Sequence, residues 1–135
     1  MNVTIAGNLC ADPELRTAPG NVPVVDLRIA ENRHSKDPDG EWSTETSFFT
    51  VVCWRDLATH VADSLHRGDR VVAVGHMRQD NWTTDTGESR SRFVIDADDL
   101  AASIRFAKVE VTKTSRPREP EAPVTYEPDD PARPF

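Results

Sequence analysis

The sequence predicts an all-β fold: a small barrel of five strands, with one short helix between the third and fourth strands, followed by a disordered tail. Short segments in which apolar and polar residues alternate recur between residues 2 and 104, separated by turn residues. One segment, residues 56–67, instead has apolar residues at helical spacing. The chain has 135 residues, 37% of them hydrophobic, which suffices for one small core, so we expect one domain.

The first two strands are separated by turn residues. Residues 2–10 alternate apolar and polar side chains, which is the pattern of a half-buried strand. Turn signals follow at Asp12-Pro13 and Pro19-Gly20-Asn21. Residues 22–30 form the second strand. The alternating apolar residues are Val3, Ile5 and Leu9 in the first strand and Val25, Leu27 and Ile29 in the second.

A polar segment separates the second strand from the third. Residues 32–43 contain the turn signal Asp-Pro-Asp-Gly at 37–40, so we expect a long, mobile loop there. Residues 47–54 follow as the third strand. Alternation alone leaves open which face of this strand is wet. One face carries Phe48, Val52 and Trp54, and the other carries Phe49, Val51 and Cys53.

The helix follows directly. Asp56 can cap it, and Gly68 stands where it would stop, after about three turns. Its apolar positions recur every four residues at Leu57, Val61 and Leu65.

Two further strands complete the sheet. Residues 70–75 are rich in valine, and the chain then enters a hairpin whose tip is Asp-Thr-Gly at 85–87. It returns through Arg92 to Ile95, and residues 94–104 form the last strand. Five strands with one helix between the third and fourth give the order of an OB-fold, a small barrel that binds oligonucleotides through one face and its loops.

The end of the chain changes character. Residues 106–112 alternate once more and predict an added strand, with a frayed chain end as the alternative. Six of the ten prolines lie between Pro117 and Pro134, where almost no apolar residue could support a core. We therefore expect a domain over residues 1–112 and a disordered tail over residues 113–135.

Three blocks carry a family resemblance: GNLCADPEL at residues 7–15, WRDLATHVADSLHRGDRV at 54–71 and GHMRQDNW at 75–82. In this order and spacing they resemble the bacterial single-stranded DNA-binding proteins over residues 2–106, and the chain is identified as an actinobacterial-type secondary paralogue. The resemblance implies sequence-nonspecific binding and protection of single-stranded DNA in replication, recombination and repair. It also implies a homotetramer, in which residues 105–109 resemble a segment that clamps a neighbouring subunit.

The same resemblance implies the residues that stack on bases. Binding without regard to sequence needs flat aromatic surfaces for bases and cations for phosphates, because every nucleotide has both. Phe48, Trp54 and Trp82 fall at stacking positions of the family, with Phe48 and Trp54 facing outward. His34 falls near a fourth position, and Trp42 lies in the same segment, so either of the two can fill it.

Five arginines are candidate phosphate contacts. Arg78, Arg90 and Arg92 flank the predicted hairpin, while Arg28 and Arg55 lie near the barrel face. For each, an ordinary solvated charge is the alternative. The hairpin also carries acids that would weaken DNA affinity, namely Asp80, Asp85 and Glu88.

The C-terminal tip resembles a device with which relatives recruit replication and repair enzymes, an acidic run closed by Pro-Phe. Here the residues that match it are Asp129, Asp130, Pro134 and Phe135, with Arg133 interrupting the acids. A vestigial tail is the alternative reading.

The charge of the chain argues for a weaker binder than usual. The formal net charge is −7, and residues 1–110 alone hold 18 acidic and 12 basic side chains. Net charge says nothing about sidedness, so the arginines can still share one face. The acidic balance supports a rival function, an OB-fold adaptor of primosome proteins that binds DNA weakly.

The sequence lacks the residue patterns typical of enzymes, metal-binding proteins and nucleotide-binding proteins. The four histidines, His34, His60, His66 and His76, have no metal-ligand spacing, and no phosphate-binding or dinucleotide glycine pattern occurs. We therefore expect no catalysis, metal or cofactor, and interpret the acids of residues 96–99 as a solvated strand edge.

No secretion signal or membrane span is recognisable, so we expect a cytoplasmic, nucleoid-associated protein. Cys10 and Cys53 are expected to be reduced, with a bridge between subunits through Cys10 as the alternative.

Overall fold

The computed structural model describes residues 1–114. The elements are β1 (Asn2–Leu9), β2 (Leu15–Ala18), β3 (Val22–Lys36), β4 (Trp42–Trp54), α1 (Asp56–Ser64), β5 (Arg70–Thr83) and β6 (Ser89–Ala102). The sheet order is β1-β5-β6-β4-β3-β2, and β1 also pairs with β3, which closes the sheet into a barrel. This is the predicted OB-fold, with its helix between the two long hairpins.

The core lies inside the barrel and follows the predicted alternation. Each strand except β2 sends alternate side chains inward, because successive side chains point to opposite faces. The helix adds Ala58 and Val61, which are buried against the same cluster. The strand residues of this core include Ile5, Leu9, Val25, Leu27, Ile29, Val51, Cys53, Val71, Ala73 and Ile95.

Cys53 belongs to this core as a free thiol. Burial raises its pKa to about 12, with the charge of Asp26 as the second cause. Cys10 is also free and is half-buried. The thiol of Cys53 is therefore a small apolar core group.

The prediction of a long mobile loop over residues 32–43 is wrong. The second and third predicted strands continue through it as a paired hairpin, with partners such as Asn32 with Thr46 and Ser35 with Ser43. The turn is confined to the segment between β3 and β4, where Asp37 Oδ1 accepts hydrogen bonds from the amides of Asp39 and Glu41. A hairpin that extends past the barrel needs no apolar face, so the polar composition misled the prediction.

Two glycines of the predicted blocks allow close backbone approach. A Cβ at Gly7 would lie 2.3 Å from the carbonyl oxygen of Ala30, and one at Gly75 would lie 2.1 Å from that of Asp96. Gly75 also stands at an irregularity in the β5–β6 ladder, between Val74 and Gly75. These glycines permit barrel closure and the bulge that sets the register of the β5–β6 hairpin.

The helix begins and ends differently from the prediction. Arg55, and not Asp56, occupies the N-cap, with φ 61° and no side-chain capping hydrogen bond. Leu65 is the C-cap, so the helix ends before Gly68. Gly68 instead makes a turn at φ +89° from which its amide donates to the carbonyl of Leu9.

Two further differences concern strands. The short strand β2 is additional to the five predicted, and it pairs with β3. Residues 106–112 form no strand in the described single chain. Phe106 there is 75% exposed, with the guanidinium of Arg105 5.0 Å from its ring centre. Of the predicted tail, residues 113–135, everything from residue 115 onward lies outside the described residues, including the predicted tip Asp129, Asp130, Pro134 and Phe135. Among residues 1–114 no helix is long and apolar enough to cross a membrane.

Candidate nucleic-acid interface

The β3–β4 hairpin carries five of the predicted site residues on one face. Directly opposite residues in an antiparallel pair point to the same side, and every second pair does so along the ladder. Lys36, which was not predicted, joins this face. The pairs concerned are Val24 with Trp54, Arg28 with Thr50, Ala30 with Phe48, His34 with Thr44, and Lys36 with Trp42.

The β5–β6 hairpin continues the same face. Val52, which lies between Phe48 and Trp54 in the alternation of β4, is aligned with Asp96 of β6. Even-numbered residues of β4 and β6 therefore share a side. The pairs on that side of the hairpin are His76 with Asp96, Arg78 with Val94, Asp80 with Arg92, and Trp82 with Arg90.

We call this surface the aromatic face: the even-numbered side chains of residues 24–36, 42–54, 76–82 and 90–96. It unites nine of the ten predicted DNA-contact residues. The exception is Arg55, which lies past the end of β4 at the start of the helix. A small second apolar cluster supports the middle of the face, formed by Val24, Val52 and Val94 with Ala18 against them.

The aromatic side chains on this face are accessible. Trp42 is 73% exposed, Phe48 52%, Trp82 43% and Trp54 39%. Phe48 and Trp54 therefore face outward, as the resemblance implied. Phe93 is 65% exposed as well, but it shares the opposite face with the buried Ile95.

Three of these rings lie under a cation. The guanidinium of Arg28 is 4.7 Å from the ring centre of Phe48, and that of Arg92 is 5.7 Å from that of Trp82. The ammonium of Lys36 is 5.9 Å from the ring centre of Trp42. Such pairs combine the two groups that a nucleotide needs, a stacking surface and a positive charge.

Trp54 is held differently. Its indole Nε1 donates a 3.2 Å hydrogen bond to Asp96 Oδ1. The other carboxylate oxygen of Asp96 accepts from Arg78 Nε at 2.5 Å. The interpretation of Asp96 as a solvated strand edge is wrong, because β6 lies between β5 and β4 and Asp96 bonds two partners.

Of the five candidate arginines, the three on the β5–β6 hairpin form ion pairs with carboxylates, whereas Arg28 and Arg55 do not within the described residues. Arg78 and Arg92 both approach Asp80, and Arg90 Nη2 lies 3.2 Å from Glu88 Oε2. Arg28 and Arg55 form no ion pair with any residue in the described range 1–114. Asp26, also on the aromatic face, pairs with Arg16 through both carboxylate oxygens at 3.0 and 3.1 Å.

An open cleft of about 410 Å³ lies near the end of the β5–β6 hairpin. Trp82 and Arg90 contribute to its lining together with polar neighbours. The lining residues are Asn81, Trp82, Thr83, Ser89, Arg90 and Ser91.

Within the described part of the chain no three His, Cys, Asp or Glu side chains are placed to hold a metal ion.

Sequence reasoning missed Lys36, Asp96 and the exposure of Phe93. The first two could have been found by continuing the even-numbered alternation of the strands past the core. The pairing of Asp96 with Trp54 could not, because it depends on the parallel alignment of β4 with β6. Phe93 is exposed because the hairpin projects beyond the barrel, which its strand pattern does not reveal.

Comparison with known proteins agrees with this geometry. The sequence model of the family described as "Single-strand binding protein family" matches residues 1–103. The chain is 41% identical over 117 residues to the "Single-stranded DNA-binding protein" of Corynebacterium glutamicum, covering 85% of this chain and 52% of that one. It is 38% identical over 116 residues to that of Mycolicibacterium smegmatis, covering 84% and 70%.

The chain is also similar to a second type of relative in sequence and to a solved structure in fold. It is 39% identical over 115 residues to "Single-stranded DNA-binding protein 2" of Streptomyces coelicolor, covering 84% of this chain and 58% of that one. The chain thus spans only half to about two thirds of the length of several relatives. A solved structure described as "Plasmodium falciparum SSB complex with ssDNA" shares the fold, with a TM-score of 0.69 at 18% identity, covering 76% of this chain and 93% of that one.

Proposed function

Because the chain belongs to the single-strand binding protein family, we propose that it binds single-stranded DNA on the aromatic face, without regard to sequence, and protects it during replication, recombination and repair. One observation carries the proposal: the strand register brings nine of ten residues chosen from sequence onto one exposed face. The proposed activity is binding and not catalysis.

Bases stack on exposed rings in this mechanism. Phe48 and Trp54 lie six residues apart along β4, and Trp82 continues the face on the β5–β6 hairpin. Each stacked base contributes about 1–3 kcal/mol, and this is sequence-tolerant because every base has an aromatic surface. Trp42, with Lys36 beside it, extends the surface to the end of the β3–β4 hairpin, and His34 lies on the same side.

In this mechanism the DNA phosphates bind the basic side chains beside the aromatic rings. Arg28 and Lys36 both lie over rings and have no carboxylate partner within residues 1–114, so each can bind a phosphate without breaking an ion pair. Arg55 has the same freedom at the start of the helix. Arg78, Arg90 and Arg92 must share their charge with acids.

We further propose self-association into a homotetramer acting on the nucleoid in the cytoplasm. Two features of the single chain support self-association. The edge of β1 over residues 2–7 that faces away from β5 has no strand partner within residues 1–114. Four apolar side chains after β6 are exposed: Ile104, Phe106, Val109 and Val111. Recruitment of replication and repair enzymes through Asp129, Asp130, Pro134 and Phe135 is proposed as well.

A second candidate function is an adaptor that holds replication proteins together and coats DNA little. The ion pairs on the β5–β6 hairpin favour it, because they occupy cations that a tight DNA binder would leave free.

A fluorescence titration separates the two functions. The full chain is titrated with oligo-dT of about 35 nucleotides at low and then at raised salt, because stacking on Trp54 or Trp82 should quench their emission. We expect strong quenching that weakens with salt, with a log–log slope of about −1.4 to −2.1 for two or three phosphate contacts. Absence of quenching at low salt would contradict strand coating and favour the adaptor. Pull-downs with and without Phe135 would then identify its partners.

A further inference from the structure

Asp80 lies on the aromatic face between two arginines of the β5–β6 hairpin. Its Oδ1 is 3.8 Å from Arg78 Nη1, and its Oδ2 is 3.5 Å from Arg92 Nε. Arg92 is also its direct cross-strand partner. One carboxylate therefore faces two of the three arginines that sequence reasoning assigned to phosphate at this hairpin.

The two ion pairs belong to a chain of contacts that joins two exposed tryptophans. Trp54 donates to Asp96, Asp96 accepts from Arg78, and Arg78 approaches Asp80. Asp80 in turn approaches Arg92, whose guanidinium lies 5.7 Å from the ring centre of Trp82. A DNA strand with bases stacked on both tryptophans would have to cross this network.

The two carboxylates of the network differ in role. Asp96 bonds the indole of Trp54 as well as Arg78, so it positions a stacking ring. The side chain of Asp80 bonds no aromatic residue and is 39% exposed, beside arginine side chains that are 40% and 49% exposed. Ion pairs this accessible are weak and readily exchanged for another anion.

We infer that Asp80 competes with DNA phosphate for Arg92 and, less strongly, for Arg78, and so lowers both the affinity of the hairpin and its sensitivity to salt. This inference rests on the proposed binding of single-stranded DNA. Guanidinium groups bind carboxylate and phosphate by the same kind of charge-assisted hydrogen bond, so the two anions exchange on one site.

The salt dependence distinguishes competition from other effects. Each phosphate neutralised by a free cation steepens the log–log slope for single strands by about 0.7. An arginine that must first leave Asp80 exposes a carboxylate, which takes up a cation and offsets part of that release. Removing the carboxylate should therefore raise affinity and steepen the slope together.

The test compares D80N with D85N in the full chain. Both substitutions remove one negative charge from the same hairpin, but Asp85 lies in its turn and forms no ion pair within residues 1–114. Binding to oligo-dT of about 35 nucleotides is measured over a salt series. We expect D80N to bind about 5- to 20-fold more tightly at low salt, with a slope steeper by at most about 0.7 per arginine released, and D85N to change affinity less than about 2-fold.

The double variant D80N/R92Q tests whether Arg92 is the arginine that D80N makes available to DNA phosphate. In D80N/R92Q most of the gain of D80N should disappear, because the guanidinium of Arg92 is gone and only the weaker competition for Arg78 is relieved. Equal behaviour of D80N and D85N, with normal binding by the wild type, would overturn this inference alone. Weaker binding by a D80N protein of unchanged melting temperature would also overturn it, since Asp80 would then organise the site. No binding by either wild type or D80N would overturn it together with the proposed function.

Discussion

The burial of Cys53 in the core changes the acidity of its thiol. Its side chain is fully buried in the barrel, and burial raises its pKa to about 12. The sequence predicted a reduced core or near-core thiol, because Cys53 falls in a strand-like segment without close Cys/His pairing, whereas alternation left open which face of that strand is buried. It could not predict the nearby charge of Asp26, which strengthens the effect.

The thiol of Cys53 should therefore resist modification in the folded protein. An aromatic disulfide reagent at pH 8 is expected to react with the half-buried Cys10 and to leave Cys53 unmodified, because the thiolate is the reactive form. In urea both thiols should react, and in C10S the fast phase should vanish. Fast reaction of both thiols in the native protein would contradict the placement of Cys53.

The same pKa has a consequence for stability. Well below pH 9 the thiol is protonated in both the folded and the unfolded chain, so Cys53 adds no pH dependence there. As the pH rises from 9 towards 12 only the unfolded chain loses the proton, and the free energy of unfolding should fall.

The β3–β4 hairpin is the element that sequence reasoning described least well. Strand positions inside the barrel were predicted because burial imposes alternation, as in Val25, Leu27 and Ile29. Outside the barrel no burial acts on residues 32–36 and 42–46, so their pairing leaves no apolar signal. The proposed stacking residues Phe48, Trp54 and Trp82 were predicted from the family resemblance, whereas their placement on one common face required the strand register.

Hydrogen exchange tests the β3–β4 hairpin. Amides of residues 31–36 and 42–47 that are bonded across the ladder should exchange at least about tenfold more slowly than in an unstructured chain. A mobile loop, the expectation from polar composition, would exchange at nearly the unstructured rate. That result would also remove Trp42 and His34 from the aromatic face.

At the scale of the whole molecule, the acidic net charge is compatible with the proposed DNA binding because carboxylates on the aromatic face are paired with arginines. Asp26 pairs with Arg16, while Asp80 and Asp96 pair with hairpin arginines. Arg28 keeps its charge beside Phe48. The face therefore offers stacking surfaces at full strength and cations at reduced strength, which predicts binding that depends more on rings than on phosphate contacts.

A matched pair of phenylalanines tests this account most directly. Phe48 is on the aromatic face and Phe93 on the opposite face, and both are more than half exposed. Affinity for oligo-dT is measured for F48A and F93A at one salt concentration, with circular dichroism confirming that both fold. Loss of one stacked base predicts a decrease of about 5- to 100-fold for F48A, and we expect less than about 2-fold for F93A. An equal decrease in both variants, or none in F48A, would contradict binding on the aromatic face.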